Sequence, residues 1–294
     1  MNELFAFEET EKVGLRKGIV FYFNDWIDEK IIGALEEIIE KFLLMARAEF
    51  TQKHSGRDYD SRRNIRGGWR KIFHREFDAK DFTESHILVL DDCSPQRVQS
   101  VLAGIHPNNF RSADGSYFAY SCLYLQCPLA VEWADVYRFM EYVNDRLSIS
   151  YASAGYDTAY NARHQAGATG SVGASVRALN NLKYANSDST EWMHLYLSSR
   201  FGVPCPNFIQ ILSPCLSQKI DCSEADGISI KSEKGNLFLD ILERTHGLMQ
   251  EPAAEQTEAR LKKLYRMLKP VIVTPERSIY MKPSDWNERL NRFD

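Results

Sequence analysis

The sequence predicts an α+β fold, with helices packed on a largely antiparallel mixed sheet. Residues 17–24, KGIVFYFN, are β-branched and aromatic, which suits a buried strand. Residues 28–50 repeat apolar side chains at helical spacing. Beyond them, strand-like and helix-like segments mix without the regular βαβ alternation of a parallel sheet. The chain has 294 residues, 44% of them apolar, enough for a substantial core. No repeat, low-complexity tract or linker divides it, so a single domain over residues 1–294 is expected.

After the first strand, Asp25 and Asp28 supply turn and cap residues. In the helix that follows, Ile31, Leu35, Ile38, Phe42 and Met45 share one face, while Glu36, Glu37, Glu40 and Lys41 face away. A basic stretch comes next. Gly67 and Gly68 mark a turn inside it, and WRKIF (69–73) reads as a strand with Trp69 and Ile72 inward. HILVL (86–90) reads as a strand, 94–102 as a short helix opened by Ser94 and Pro95, and SYFAYSCLYLQC (116–127) as a long strand. Over 132–147, Trp133, Val136, Tyr137, Met140, Val143 and Leu147 fall on one helical face. SISYASAGYDTAYN (148–161) is a further strand running into a turn. From 162 to 206 only a helix around 175–182 and a polar loop at 184–191 are assigned. NFIQIL (207–212) and NLFLDIL (236–242) read as strands, with a short helix at about 215–220. Pro252 precedes a last amphipathic helix at 255–268, with Leu261, Leu264, Tyr265 and Leu268 inward, stopped by Pro270.

A net charge of −4 and a pI near 6 argue against sequence-wide binding to nucleic acid or anionic membrane, which depends on Lys and Arg neutralising phosphates. The first residues show no basic start followed by a long apolar core, and no apolar run approaches the roughly 20 residues a bilayer span needs. A soluble, cytoplasmic protein is expected. Six cysteines at irregular spacings, without C-x-x-C, point to reduced and mostly buried thiols.

The search for catalytic motifs returns little. Gly167, Gly170 and Gly173 match neither dinucleotide-binding nor P-loop spacing. Seven scattered histidines show no H-x-x-x-H, no G-x-S-x-G elbow is present, and no cysteine has a base beside it. Asp226, Glu233 and Lys234, in SEADGISIKSEK, leave open a metal-dependent nuclease or phosphodiesterase, since such enzymes hold Mg²⁺ with acids beside a lysine. The alternative there is a charged hairpin. Between Arg57 and Arg75 stand seven Lys/Arg against two Asp, a local balance of +5. Arg62, Arg63, Arg66, Arg70 and Lys71 could therefore build a nucleic-acid-binding module, or lie on a surface balanced by the protein's own acids.

At the C-terminus, Trp286, Leu290 and Phe293 recur at helical spacing beside Arg289 and Arg292, which predicts an amphipathic turn docked on the fold. The ending W-x-x-x-L-x-R-F-D resembles the type VI secretion immunity family that neutralises VRR-NUC nuclease effectors. The early GIVFYFND strand with its amphipathic helix, the ASAGYDTAYN stretch around Gly155 and Tyr156, and Y-x-x-L-K-P at Tyr265 to Pro270 also look like that family. The resemblance implies a cytoplasmic protein without catalysis, cofactor or metal. It would bind its cognate VRR-NUC effector, a PD-(D/E)xK-like DNase, and touch neither nucleic acid directly nor membrane. A nuclease's substrate groove is basic, so an inhibitor filling it should offer carboxylates anchored by aromatics. On that implication Asp91, Asp92, Asp114, Tyr117, Asp188, Glu191 and Trp192 are the effector-binding candidates. The basic stretch is then a self-balanced surface or a contact to acidic patches of the effector.

Overall fold

The computed structural model describes residues 13–55, 63–77, 87–92, 98, 100–107, 109–111, 117–119, 121–160, 202–203, 205–223, 225–246, 248–272 and 290–293. Its centre is β1 (Val13–Phe23). Alternate side chains of a strand point to opposite faces, and here Ile19, Phe21 and Phe23 on one face and Val20 and Tyr22 on the other are all buried. Both faces of the sheet are therefore covered at its middle. β1 pairs antiparallel with β8 (Ser121–Cys127) on one side and β9 (Ile149–Tyr160) on the other. Beyond β9 lie β10 (Ile209–Leu212), β12 (Asn236–Asp240) and, at the edge, β11 (Ser229–Glu233). Beyond β8 lie β5 (Leu102–His106), β4 (Leu88–Asp91), β2 (Gln52–Ser55) and the opposite edge, β3 (Arg63–Asn64). Among the described residues every pairing in this ten-stranded sheet is antiparallel, which makes the fold α+β as predicted. Two ribbons stand apart, β6 (Asn109–Arg111) with β7 (Tyr117–Ala119) and β13 (Glu243–Thr245) with β14 (Leu248–Gln250).

Helix α1 (Glu29–Ala46) starts where expected, because the Asp28 Oδ1 accepts the Ile31 N–H at 2.9 Å. It buries Ile31, Leu35, Ile38, Ile39, Phe42 and Leu43, each worth about 1.5–3 kcal/mol when fully removed from water. The Phe139 ring of α3 (Trp133–Asn144) meets Phe21 at 6.1 Å and Phe42 at 6.0 Å, which sets α1 and α3 together on one face of the sheet. A short helix, α4 (Pro214–Ser217), and the long α5 (Ala254–Leu268) complete the set, the latter burying Leu261, Leu264, Tyr265 and Leu268.

Three expectations need correction. WRKIF belongs to a helix, α2 (Trp69–Phe77), because Ile72, Phe73 and Phe77 fall on one helical face and bury together. Leu102 opens β5 rather than closing a helix; residues 93–97 and 99 lie outside the described set. The run 116–127 is divided, with residues 117–119 in the separate ribbon and only Ser121–Cys127 in the main sheet. The docked C-terminal turn is as predicted. Leu290 and Phe293 are buried, and the Phe293 ring stacks on Tyr265 at 5.7 Å; Trp286 lies outside the described residues, as do 175–182 and 184–191. Cys122, Cys127 and Cys205 are buried free thiols, whereas Cys215 is exposed.

Candidate functional site

The sequence-derived candidates fall in different places. Asp91 ends β4 fully buried, and its backbone carbonyl accepts the Thr51 N–H at 2.8 Å. Next to it, the Asp92 Oδ1 accepts the N–H groups of Ser100 and Val101 at 2.7 and 3.1 Å. This corrects the reading of an acidic loop open to a partner: both residues are buried, and the Asp92 carboxylate holds the backbone that leads into β5. Tyr117 begins β7, and Asp114, Asp188, Glu191 and Trp192 lie outside the described residues.

Asp226, Glu233 and Lys234 are not brought together. Asp226 is exposed ahead of β11, with its carboxylate 3.8 Å from Lys263. Glu233 sits at the far end of that strand, 2.6 Å from Lys231. Lys234 occupies the hairpin turn, 2.6 Å from Asp145. The strand between Asp226 and Glu233 spans about 13 Å, while Mg²⁺ ligands converge to about 2.1 Å of the ion. The segment is a charged hairpin, with Lys231 paired to Glu233 inside it and with Asp226 and Lys234 tied to Lys263 and Asp145 outside it. Among the described residues no group of three or more His, Cys, Asp or Glu could hold a metal ion, and no helix is long and apolar enough to cross a membrane.

The basic stretch divides in two. The Arg70 guanidinium reaches Glu36 at 3.1 Å and Glu40 at 2.5 Å on α1, and hydrogen bonds to these carboxylates raise its pKa further. His74 lies 3.3 Å from Glu36, and Glu76 takes both Arg75 at 3.3 Å and the buried Lys53 at 3.2 Å. These side chains are balanced by the protein's own acids. Arg63, Arg66 and Lys71 are exposed instead, and none has an ion-pair partner among the described residues. Arg62 lies outside them.

The same fold has been seen before. Over 98% of this chain and 84% of the other, the structure superposes on the Pseudomonas aeruginosa T6SS protein PA0821 with a TM-score of 0.69 at 11% sequence identity. No family profile and no curated protein matches the sequence. The fold shared with PA0821 therefore runs along nearly the whole chain, from β1 to the C-terminal turn.

Two buried polar clusters went unnoticed in the sequence. Lys17 enters the core with Ile19 and Phe21; its Nζ donates to the Val131 carbonyl and lies 4.5 Å from the centre of the Trp133 ring. The Glu251 carboxylate accepts from Trp133 Nε1 at 2.8 Å and from the Tyr156 hydroxyl, and Phe208 stacks on Trp133 at 5.2 Å. Burial lowers the Lys17 pKa, partly offset by Cys127, Glu251 and Glu132. On the opposite face, Tyr124 donates to Asp157 Oδ2 at 2.7 Å, and Asp157 lies directly over Gly18. Strand alternation is the signal that could have flagged Lys17, since residues 15, 17, 19 and 21 share a face. Each cluster joins neighbouring strands, Lys17 of β1 beside Tyr156 of β9 and Tyr124 of β8 to Asp157 of β9 across β1, an arrangement suited to holding the sheet together.

Proposed function

We propose that this chain is a non-catalytic immunity protein that binds and inhibits a VRR-NUC DNase effector of a type VI secretion system. It would act in the cytoplasm of the producing cell and prevent intoxication by itself and its kin. The observation that carries the reading is the fold shared, over nearly its whole length, with a protein described as belonging to a T6SS. The terminal W-x-x-x-L-x-R-F-D pattern supports it from a second direction, with Leu290 and Phe293 docked as that pattern requires. The separate ion pairs of Asp226, Glu233 and Lys234 support the non-catalytic reading over a metal site at this hairpin.

Inhibition of a nuclease must be tight, because one active molecule can cut a chromosome, and nuclease–immunity pairs reach the ceiling of non-covalent affinity. Blocking needs no chemistry, only a rigid body that occupies the DNA path. Asp114, Tyr117, Asp188, Glu191 and Trp192 remain the acidic and aromatic candidates for that contact; Asp91 and Asp92 are withdrawn from it by their burial. The deciding experiment co-expresses the chain with a VRR-NUC effector nuclease from the same genome. Protection of the cells and co-purification of the pair are expected. A pair that neither associates nor protects would overturn the proposal.

A further inference from the structure

We propose that the exposed Arg63, Arg66 and Lys71, which flank the partly buried Trp69 in the chain, form a docking surface for an acidic patch on the nuclease. This rests on the immunity reading and assigns it a contact surface. Among the described residues the fold sorts the basic stretch: Glu36, Glu40 and Glu76 are already engaged by Arg70, His74, Arg75 and Lys53. Arg63, Arg66 and Lys71 are left exposed and without ion pairs among the described residues, on a chain whose net charge is −4.

The surface is held firmly. β3 pairs with β2 through Gln52–Asn64 and Lys53–Arg63, and the Ile65 N–H donates to the Thr51 carbonyl at 2.9 Å. Trp69 packs edge-on against Phe50 at 6.5 Å and Phe73 at 6.1 Å, while Arg70 covers its ring at 5.4 Å. Gly67 and Gly68 both have left-handed φ, +80° and +88°, so the turn that carries Arg66 is one few sequences can adopt. Cations on an ordered frame lose little freedom on binding, and Arg and Trp are the residue types that dominate interface energetics.

Charge on an edge strand also discourages sheet-to-sheet pairing. That role accounts for Arg63 in β3 but not for Arg66 and Lys71, which lie past the strand in the turn and the first turn of α2. A protein suits the surface better than nucleic acid does. Arg70 draws Glu36 and Glu40 alongside, so a duplex with a phosphate charge every 1.7 Å or so would run onto carboxylates, whereas a compact acidic patch need not extend to them.

The test measures binding to a catalytically inactive form of that nuclease. The triple variant Arg63→Glu, Arg66→Glu, Lys71→Glu is compared with a control of equal net charge, Lys30→Glu, Lys219→Glu, Arg266→Glu. The first should bind about 100-fold more weakly, chiefly through slower association, with an unchanged melting temperature; the control should bind within about twofold of wild type. If the first triple does not fold, Arg66→Ala with Lys71→Ala should still slow association about tenfold. Equal binding by wild type and both triples, or equal loss in both, would overturn the surface while leaving the immunity reading intact. Wild type that fails to bind the nuclease would end both. Retardation of a short DNA duplex at low salt by wild type, abolished in the first triple, would make nucleic acid the occupant and overturn the proposal.

Discussion

Lys17 sets a pH dependence. A lysine whose pKa is lowered on folding binds its proton less tightly in the native than in the unfolded chain, so stability rises with pH through that interval. The gain is complete above the ordinary value of 10.5 and is lost as pH falls through the lowered native value. The variant Lys17→Met lacks this group, so denaturation compared between pH 8 and 10.5 should show wild type gaining stability relative to the variant. A constant difference across that range would contradict the assignment. Gly18, its neighbour, is required for space. A Cβ there would stand 2.8 Å from the Cβ of Asp157 and 2.9 Å from its Oδ2. Gly18→Ala should cost about 1–3 kcal/mol by overpacking. Combining it with Asp157→Gly, which removes both of those atoms, should cost less than the sum of the two single changes, because both act on the same contact.

Among the elements, the β11–β12 hairpin turns through Lys234 and Gly235, both in left-handed conformation at φ +50° and +85°. Gly235→Ala should destabilise by about 1–2 kcal/mol, the cost of forcing an L-residue left-handed, as read by urea denaturation. The C-terminal turn adheres to α5 through Phe293 on Tyr265, so Phe293→Ala should cost about 3–5 kcal/mol. A melt identical to wild type would show the turn to be dispensable. Elements with one buried face were readable: α1, α3 and α5 each display their apolar stripe at helical period. β5 was not, because LAGIH is buried at every position and so shows no alternation, while its Gly and Ala carry little strand preference. The misreading of α2 came from stopping at Phe73. Carried on to Phe77, the spacing of Ile72, Phe73 and Phe77 is helical.

At the scale of the molecule, the site was less legible than the fold. Composition located the basic stretch, but which of its cations are neutralised depends on α1 lying beside α2, a tertiary fact. Asp91 and Asp92 mislead for the same reason, since a pair of carboxylates at a strand end looks solvated, whereas here both are buried and Asp92 accepts the N–H groups of Ser100 and Val101, eight and nine residues on. If the immunity reading holds, binding stabilises the native chain by mass action. Free nuclease at 100 times Kd should add about 2.7 kcal/mol, visible as a raised melting temperature in the mixture and absent with an unrelated protein of similar charge.

The position of β1 bears on biosynthesis. β1, the first strand among the described residues, lies in the middle of the sheet, and its partners β8 and β9 end only at Cys127 and Tyr160. At 5–20 residues per second, Ile19, Phe21 and Tyr22 wait on the order of ten seconds as unpaired apolar backbone before either neighbour exists. The sheet cannot close on both sides of β1 until the chain has been made through Tyr160. A fragment ending at residue 147, which has β1 and β8 but lacks β9, should therefore stay open to proteolysis and bind hydrophobic dye, and in the cell it should depend on chaperones for as long as it persists.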